Sequence, residues 1–97
     1  MAVTQSTTAV IKMAAQADAV TGIIDVNFLY WHSPGANVGD TLLVKDAAGN
    51  TIWADNADGA NYKSYCPLKN KVNGITVTTM TSGTLYVYKE AELPGQY

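Results

Sequence analysis

Arginine is absent from this 97-residue chain, and all six of its basic residues are lysines spread along the sequence. Nucleic-acid recognition draws on clustered positive charge to release phosphate counterions and on arginine to read base edges. With a net charge of −2, and with Lys63, Lys69 and Lys71 as the densest basic run, the sequence argues against a nucleic-acid partner. Cysteine occurs once, at Cys66, so no internal disulfide staples the fold. Histidine also occurs once, at His32, which leaves too few ligands for a zinc site. The longest apolar run, Ile23 to Trp31, is interrupted by Asp25 and Asn27 and falls far short of a membrane span, so no membrane partner is expected. The opening Met1 to Thr8 has no basic n-region and no unbroken apolar h-region, and does not read as a signal peptide. Charge of either sign is scarce, at 14% of residues against roughly 25% in ordinary soluble domains. A surface made instead of Thr, Ser, Asn, Gly, Ala and aromatic side chains suits contact with other protein or with sugar, because charge is what usually keeps small domains apart.

What is present is apolar material in alternation. Hydrophobic residues make up 47% of the chain. A domain of this size buries roughly 60–65% of its unfolded surface, enough for one thin core. The segment Gly74 to Tyr88 shows two alternating, β-branched and aromatic stretches around Ser82-Gly83, and predicts a β-hairpin. Val20 to Trp31 predicts a long strand with Ile24, Val26, Phe28 and Tyr30 on one face, Asp25 and Asn27 on the other, and Leu29 and Trp31 making the second face apolar near the end. His32-Ser-Pro-Gly35 then breaks it. Asp40 to Lys45 and Thr51 to Ala54 flank Asp46-Ala-Ala-Gly-Asn50, a hairpin in which Asp46 opens a type I turn and Gly49 takes the left-handed position of the bulge. Thr8 to Ala14 reads as a strand, with a short helix over Ala9 to Ala17 as the alternative. Asp55 to Pro67 reads as a long connection with a short edge strand around Tyr62 to Cys66, and Asn73-Gly74 as a further tight turn. The pattern predicts an all-β chain: a small antiparallel β-sandwich or flattened barrel of six to seven strands, one domain over residues 1–97, with a polar N-terminal arm (1–7) and a C-terminal tail (91–97).

Reactive constellations are hard to assemble from these residues. A Cys66/His32 pair lacks an orienting third group and sits beside no recognisable motif. Ala54-Asp-Asn-Ala-Asp-Gly59 crowds oxygen ligands before a glycine, but set on the EF-hand pattern it puts Ala54 and Tyr65 at the two anchoring positions. Asp25, Asp40, Asp55, Asp58, Glu90 and Glu92 are the carboxylates from which a glycosidase pair would come, and so small a sandwich offers little room for a cleft beside them. No Gly-rich phosphate loop, nucleophile elbow or Cys-x-x-Cys occurs. The expectation is a protein with no catalytic residue, no cofactor and no metal.

The aromatic residues are more telling. In the last strand Leu85 and Val87 share the core parity, which puts Tyr86 and Tyr88 on the opposite face, beside the parity of Thr76 and Thr78. Tyrosine at a surface buries much area at low entropy cost while keeping a polar tip. Tyr86, Tyr88, Thr76 and Thr78, with Trp53, are therefore the candidate interaction surface. Three roles stay open for it: contact with a subunit or partner, cross-strand packing within the monomer, and stacking on carbohydrate with help from Trp53 or Trp31.

Asp25-Val-Asn-Phe-Leu-Tyr-Trp31, Gly39-Asp-Thr-Leu-Leu-Val-Lys-Asp-Ala-Ala-Gly-Asn-Thr-Ile-Trp53, then Pro67 and the closing Gly74 to Tyr88, together resemble the small β-sandwich structural proteins of tailed bacteriophages. The resemblance spans about two thirds of the chain and implies a virion component, a capsid decoration or cement protein bound in many copies to the major capsid protein. It also implies homo-oligomeric clusters, synthesis in the host cytoplasm and a final location in the virion. A phage tail or fibre module that binds a host-surface glycan is the alternative, and an unrelated small protein-binding domain the next. The resemblance carries over no catalytic or ligand-binding residue.

Overall fold

The computed structural model describes residues 2–3 and 10–89, with side chains from residue 10 onward. Its strands are β1 (Ala2–Val3), β2 (Val10–Met13), β3 (Ala19–Ser33), β4 (Thr41–Lys45), β5 (Thr51–Asn56), β6 (Tyr62–Met80) and β7 (Thr84–Lys89), and no helix occurs among the described residues. They form one antiparallel sheet in the order β2-β7-β3-β6-β4-β5, with β1 added to β3 in parallel. The chain is all-β, as its alternation predicts. Of the expected arm, only residues 2 and 3 are described, paired with Ala19 and Val20. The expected tail lies outside the described residues.

Two long strands organise the sheet. β3, of 15 residues, pairs with β6, of 19, from Ala19 opposite Thr76 to Ser33 opposite Tyr62. β7 flanks only the second half of β3, from Val26 to His32, and β4 flanks only the end of β6, from Thr76 to Met80. The sheet thus has two four-stranded parts, β2-β7-β3-β6 and β3-β6-β4-β5, which share β3 and β6. Register slips on β3 between Val20 and Ile23 and between Val26 and Phe28, with Lys69 at φ 48° and Gly74 at φ 79° on β6, mark where the shared strands bend. The bend brings distant ends together. Ala17 N donates to Val77 O and Met80 N to Gln16 Oε1, tying the segment after β2 to the far end of β6. The curled sheet closes over Trp31, Met13, Ile24, Leu29, Leu42, Ile75 and Leu85 and five valines, all fully buried. Each large apolar side chain removed from water here contributes about 1.5–3 kcal/mol.

The β4–β5 hairpin forms as its sequence predicts. Gly49 N donates to Asp46 O at 3.0 Å with Gly49 at φ 89°, and Asp46 Oδ1 accepts from Ala48 N and Asn50 N. Four other expectations need correction. Gly74 to Tyr88 is not a hairpin: its two halves are strands, but β3 lies between β6 and β7. The link at residues 81–83 is anchored on β3 instead. Trp31 Nε1 donates to Ser82 O at 2.9 Å, the Ser33 and Ser82 hydroxyls lie 2.6 Å apart, and a Cβ on Gly83 would sit 2.5 Å from His32 O. Asn73-Gly74 is not a chain reversal either, since β6 runs through it. Its glycine admits the 46–49 turn, with Ala47 N donating to Asn73 O at 2.9 Å and Ala47 Cβ 3.2 Å from where a Gly74 Cβ would be. Tyr62 to Cys66 is indeed strand flanked on one side only, by β3, yet it does not stop at Pro67 but opens the longest strand of the fold. Pro67 is tolerated there because that half of β6 is an edge. Finally, Asn27 sits in the register slip on β3, so parity flips: Ile24 and Val26 share the core face with Leu29 and Trp31, while Phe28 and Tyr30 face outward.

Candidate interaction face

The flip at Asn27 builds the most distinctive surface of the molecule. On β7, Leu85 and Val87 enter the core and leave Tyr86 and Tyr88 outside, as their spacing predicts. On β3 the outward set becomes Phe28, Tyr30 and His32, and on β6 it is Lys63, Tyr65 and Pro67. Register aligns these into rows. Lys12, Tyr86, Tyr30 and Tyr65 lie side by side across four strands, and Val10, Tyr88, Phe28 and Pro67 form the next row. His32 lies between Thr84 and Lys63 in a third.

The rings are packed on one another. Phe28 and Tyr88 stack at 4.3 Å between centroids with planes 12° apart, and Tyr30 and Tyr65 at 4.6 Å and 16°. Tyr86 meets Tyr30 from the other flank at 5.8 Å, and His32 lies parallel to Tyr30 at 5.9 Å. Each such pair adds about 0.5–1.5 kcal/mol beyond its buried area. Tyr30, with neighbours on both sides, therefore has little ring face to offer, whereas Tyr65 at the margin is 62% exposed. The phenol groups also influence one another: burial, then the charges that Tyr65, Tyr88 and Tyr86 would carry, raise the pKa of Tyr30 above 10.0. A neutral hydroxyl at ordinary pH donates as well as accepts. Exposed Lys12 and Lys63 border the rings, and exposed Lys69 and Lys71 continue along β6.

The remaining candidate residues lie elsewhere. Thr76 is opposite Ala19 and Lys45, and exposed Thr78 occupies the register slip facing β4, at the opposite end of β3 from Tyr30. Trp53 is opposite Val44 on the core-facing side of β5, half-buried and packed against the core. The candidate set is thus divided, with Tyr86 and Tyr88 on the aromatic face and the other three outside it. Sequence reasoning missed Phe28, Tyr30, His32 and Tyr65 for that face. The signals for them were the alternations Phe28-x-Tyr30-x-His32 and Lys63-x-Tyr65-x-Pro67, hidden by one unforeseen bulge and one underestimated strand.

Other chemistry is kept apart or internally used. Cys66 pairs with core-facing Leu29 and packs against the core, its thiol pKa raised by burial, while His32 is on the opposite face of the sheet. Asp55 Oδ2 accepts from the Tyr62 hydroxyl at 2.9 Å, and Asp55 Oδ1 accepts from Asn56 N. Among the described residues no three His, Cys, Asp or Glu side chains gather as a metal cluster, and no helix is long and apolar enough to cross a membrane. No protein-family model, curated protein or solved structure matches this chain.

Proposed function

We propose that this chain is a non-enzymatic assembly protein, a capsid decoration or cement protein that binds a virion lattice in many copies through its aromatic sheet face. The observation that carries the reading is the outer face of β2, β7, β3 and β6. Five of its side chains are Phe or Tyr, held in register and stacked before any partner arrives. Preorganisation of this kind lowers the ordering cost of association, and tyrosine is among the residue types enriched at the energetic centre of such contacts. A lattice protein also benefits from many weak copies acting together, since effective concentration multiplies modest affinities. The sequence resemblance to phage β-sandwich structural proteins points the same way.

The reading is tested on purified particles by measuring copy number against the major capsid protein and imaging its position. Copy numbers approaching those of the lattice, located on the head, are expected. A few copies confined to the tail overturn decoration. If those copies also lose glycan binding on Tyr65→Ala, the protein is instead a host-surface glycan module, for which the open ring of Tyr65 is the support.

A further inference from the structure

Charge is unevenly distributed over the described residues. Lys12 on β2 and Lys63 on β6 border the aromatic face, and Lys69 and Lys71 continue along β6, where exposed Asp25, opposite Lys71, is the acidic neighbour; Lys89, opposite core-facing Val26, has the other parity of β7. Asp40, Asp46, Asp55 and Asp58 all fall between β3 and β6, where the only lysine is Lys45. Within that segment two loops are locked together. Gly39 N donates to Ala57 O at 2.9 Å and Ala57 N to Asp40 O at 2.7 Å, which holds residues 37–40 beside residues 57–58. The result is a tip on which Val38, 81% exposed, stands near Asp40 and exposed Asp58. Asp40 Oδ2 accepts from Asn37 N, and its pKa is lowered, first by that bond and then by the Ser82 and Thr81 hydroxyls, so it contributes an ionised charge to the tip while its oxygens are used within the chain.

We infer that the aromatic face of one copy receives the acidic tip of a second copy, with Val38 against the ring edges, the exposed Asp58 carboxylate facing the tyrosine hydroxyls and Lys12 and Lys63, and the Asp40 charge behind it. The two surfaces are complementary in three respects. An apolar knob meets an apolar face, carboxylate acceptors meet phenol donors, and negative charge meets positive. A pairing of the same chemistry already exists inside the molecule, where the Tyr62 hydroxyl donates to Asp55. A single-stranded nucleic acid is the less favoured occupant. Bases stack on open ring faces, and here Tyr30 is flanked on both sides while Phe28 and Tyr88 cover each other. Because the two surfaces are different parts of one chain, the contact is heterologous: it closes into a ring or a reciprocal pair, or extends as an array. This inference deepens the assembly reading by naming the neighbour, and it is tested without any particle.

Sedimentation of the purified chain is expected to show self-association that weakens as salt rises from about 0.05 M to about 0.5 M, where screening shortens to a few ångströms. Lys12→Glu with Lys63→Glu, or Val38→Lys with Asp58→Lys, should each weaken it by about tenfold or more while the circular dichroism is unchanged. All four positions are exposed, so failure to fold is not expected. The two variants carry opposite defects, and combining all four substitutions in one chain should restore association. A wild-type chain that stays monomeric at low salt, or association that neither variant touches, overturns the inference. So does tight binding of a short oligothymidylate that Tyr65→Ala abolishes, since the face would then belong to nucleic acid. Self-association with no copies on the particle would sink decoration and leave this contact standing. The reverse result would sink only the contact.

Discussion

The inner and outer faces of β3 and β7 use the same strands and similar residue types, yet they are different kinds of surface. Inside, Leu29, Trp31, Leu85 and Val87 are wholly removed from water. Outside, Phe28, Tyr30, Tyr86 and Tyr88 are half-exposed and packed mainly against one another. Inner-face burial is driven by the curl of the sheet, whereas outer-face order comes from side-by-side stacking that leaves edges and hydroxyls available. The first face makes the fold, and the second is the one proposed to bind.

Substitutions on the two faces should therefore separate stability from assembly. The largest effect is expected at Trp31, fully buried and donating to Ser82 O. Trp31→Ala should cost about 3–5 kcal/mol in denaturant unfolding, a large share of the roughly 5–15 kcal/mol typical of a small domain. A loss below 1 kcal/mol would erase the distinction between the faces. Gly83→Ala tests the anchor of the residue 81–83 link, because its φ of 82° and the approach of His32 O both oppose a side chain. A loss of more than about 1 kcal/mol is expected. On the outer face, a double-mutant cycle between Phe28 and Tyr88 should return a coupling of about 0.5–1.5 kcal/mol. Tyr65→Ala, at the exposed margin, should change unfolding by less than about 1 kcal/mol yet reduce particle occupancy. Equal effects of Tyr65→Ala and Trp31→Ala on stability would make the outer face a second core.

Titration offers the finest probe. The pKa of Tyr30 is raised, so whatever stability its neutral form contributes is complete below pH 10.0 and is lost as pH climbs through its higher folded value. Ultraviolet absorbance should show a late phenol titration of which Tyr30→Phe removes one part, leaving that of Tyr62, whose pKa is also raised, first by burial and then by its bond to Asp55. The pKa values of Asp40 and Asp46 are lowered, by Asn37 N and Asn50 N respectively before other causes. Their contribution is present above pH 3.8 and is lost as pH falls through the lower folded values. Asp46→Asn should flatten that acid limb of a thermal-unfolding profile slightly.

Much of the fold was legible because local chemistry and tertiary placement agree. The Asp46 to Asn50 turn is fully specified by its own side chain and glycine. The Tyr86 and Tyr88 parity is likewise a local property of one strand. What escaped was non-local. Nothing around Asn27 announces a bulge, yet that one residue moves Phe28 and Tyr30 from the core to the outer face. Ser82-Gly83 has the composition of a hairpin turn, and only the bonds from Trp31 and Ser33 send the chain across β3. Gly74 has the composition of a turn as well, but it marks the approach of another loop. Thr76 and Thr78 join the tyrosines only if Gly74 to Tyr88 is a hairpin, and that pairing ends once β3 separates β6 from β7, while Trp53, added for stacking on sugar, packs against the core instead.

The outer face of β2, β7, β3 and β6 is proposed as a contact surface. Hydroxyl-radical labelling of Tyr65, in the isolated chain and again in the assembled particle, tests it most directly. Strong labelling of the isolated chain and protection in the assembly are expected, with fully buried Trp31 unlabelled in both states. Equal labelling of Tyr65 in the two states would contradict the account.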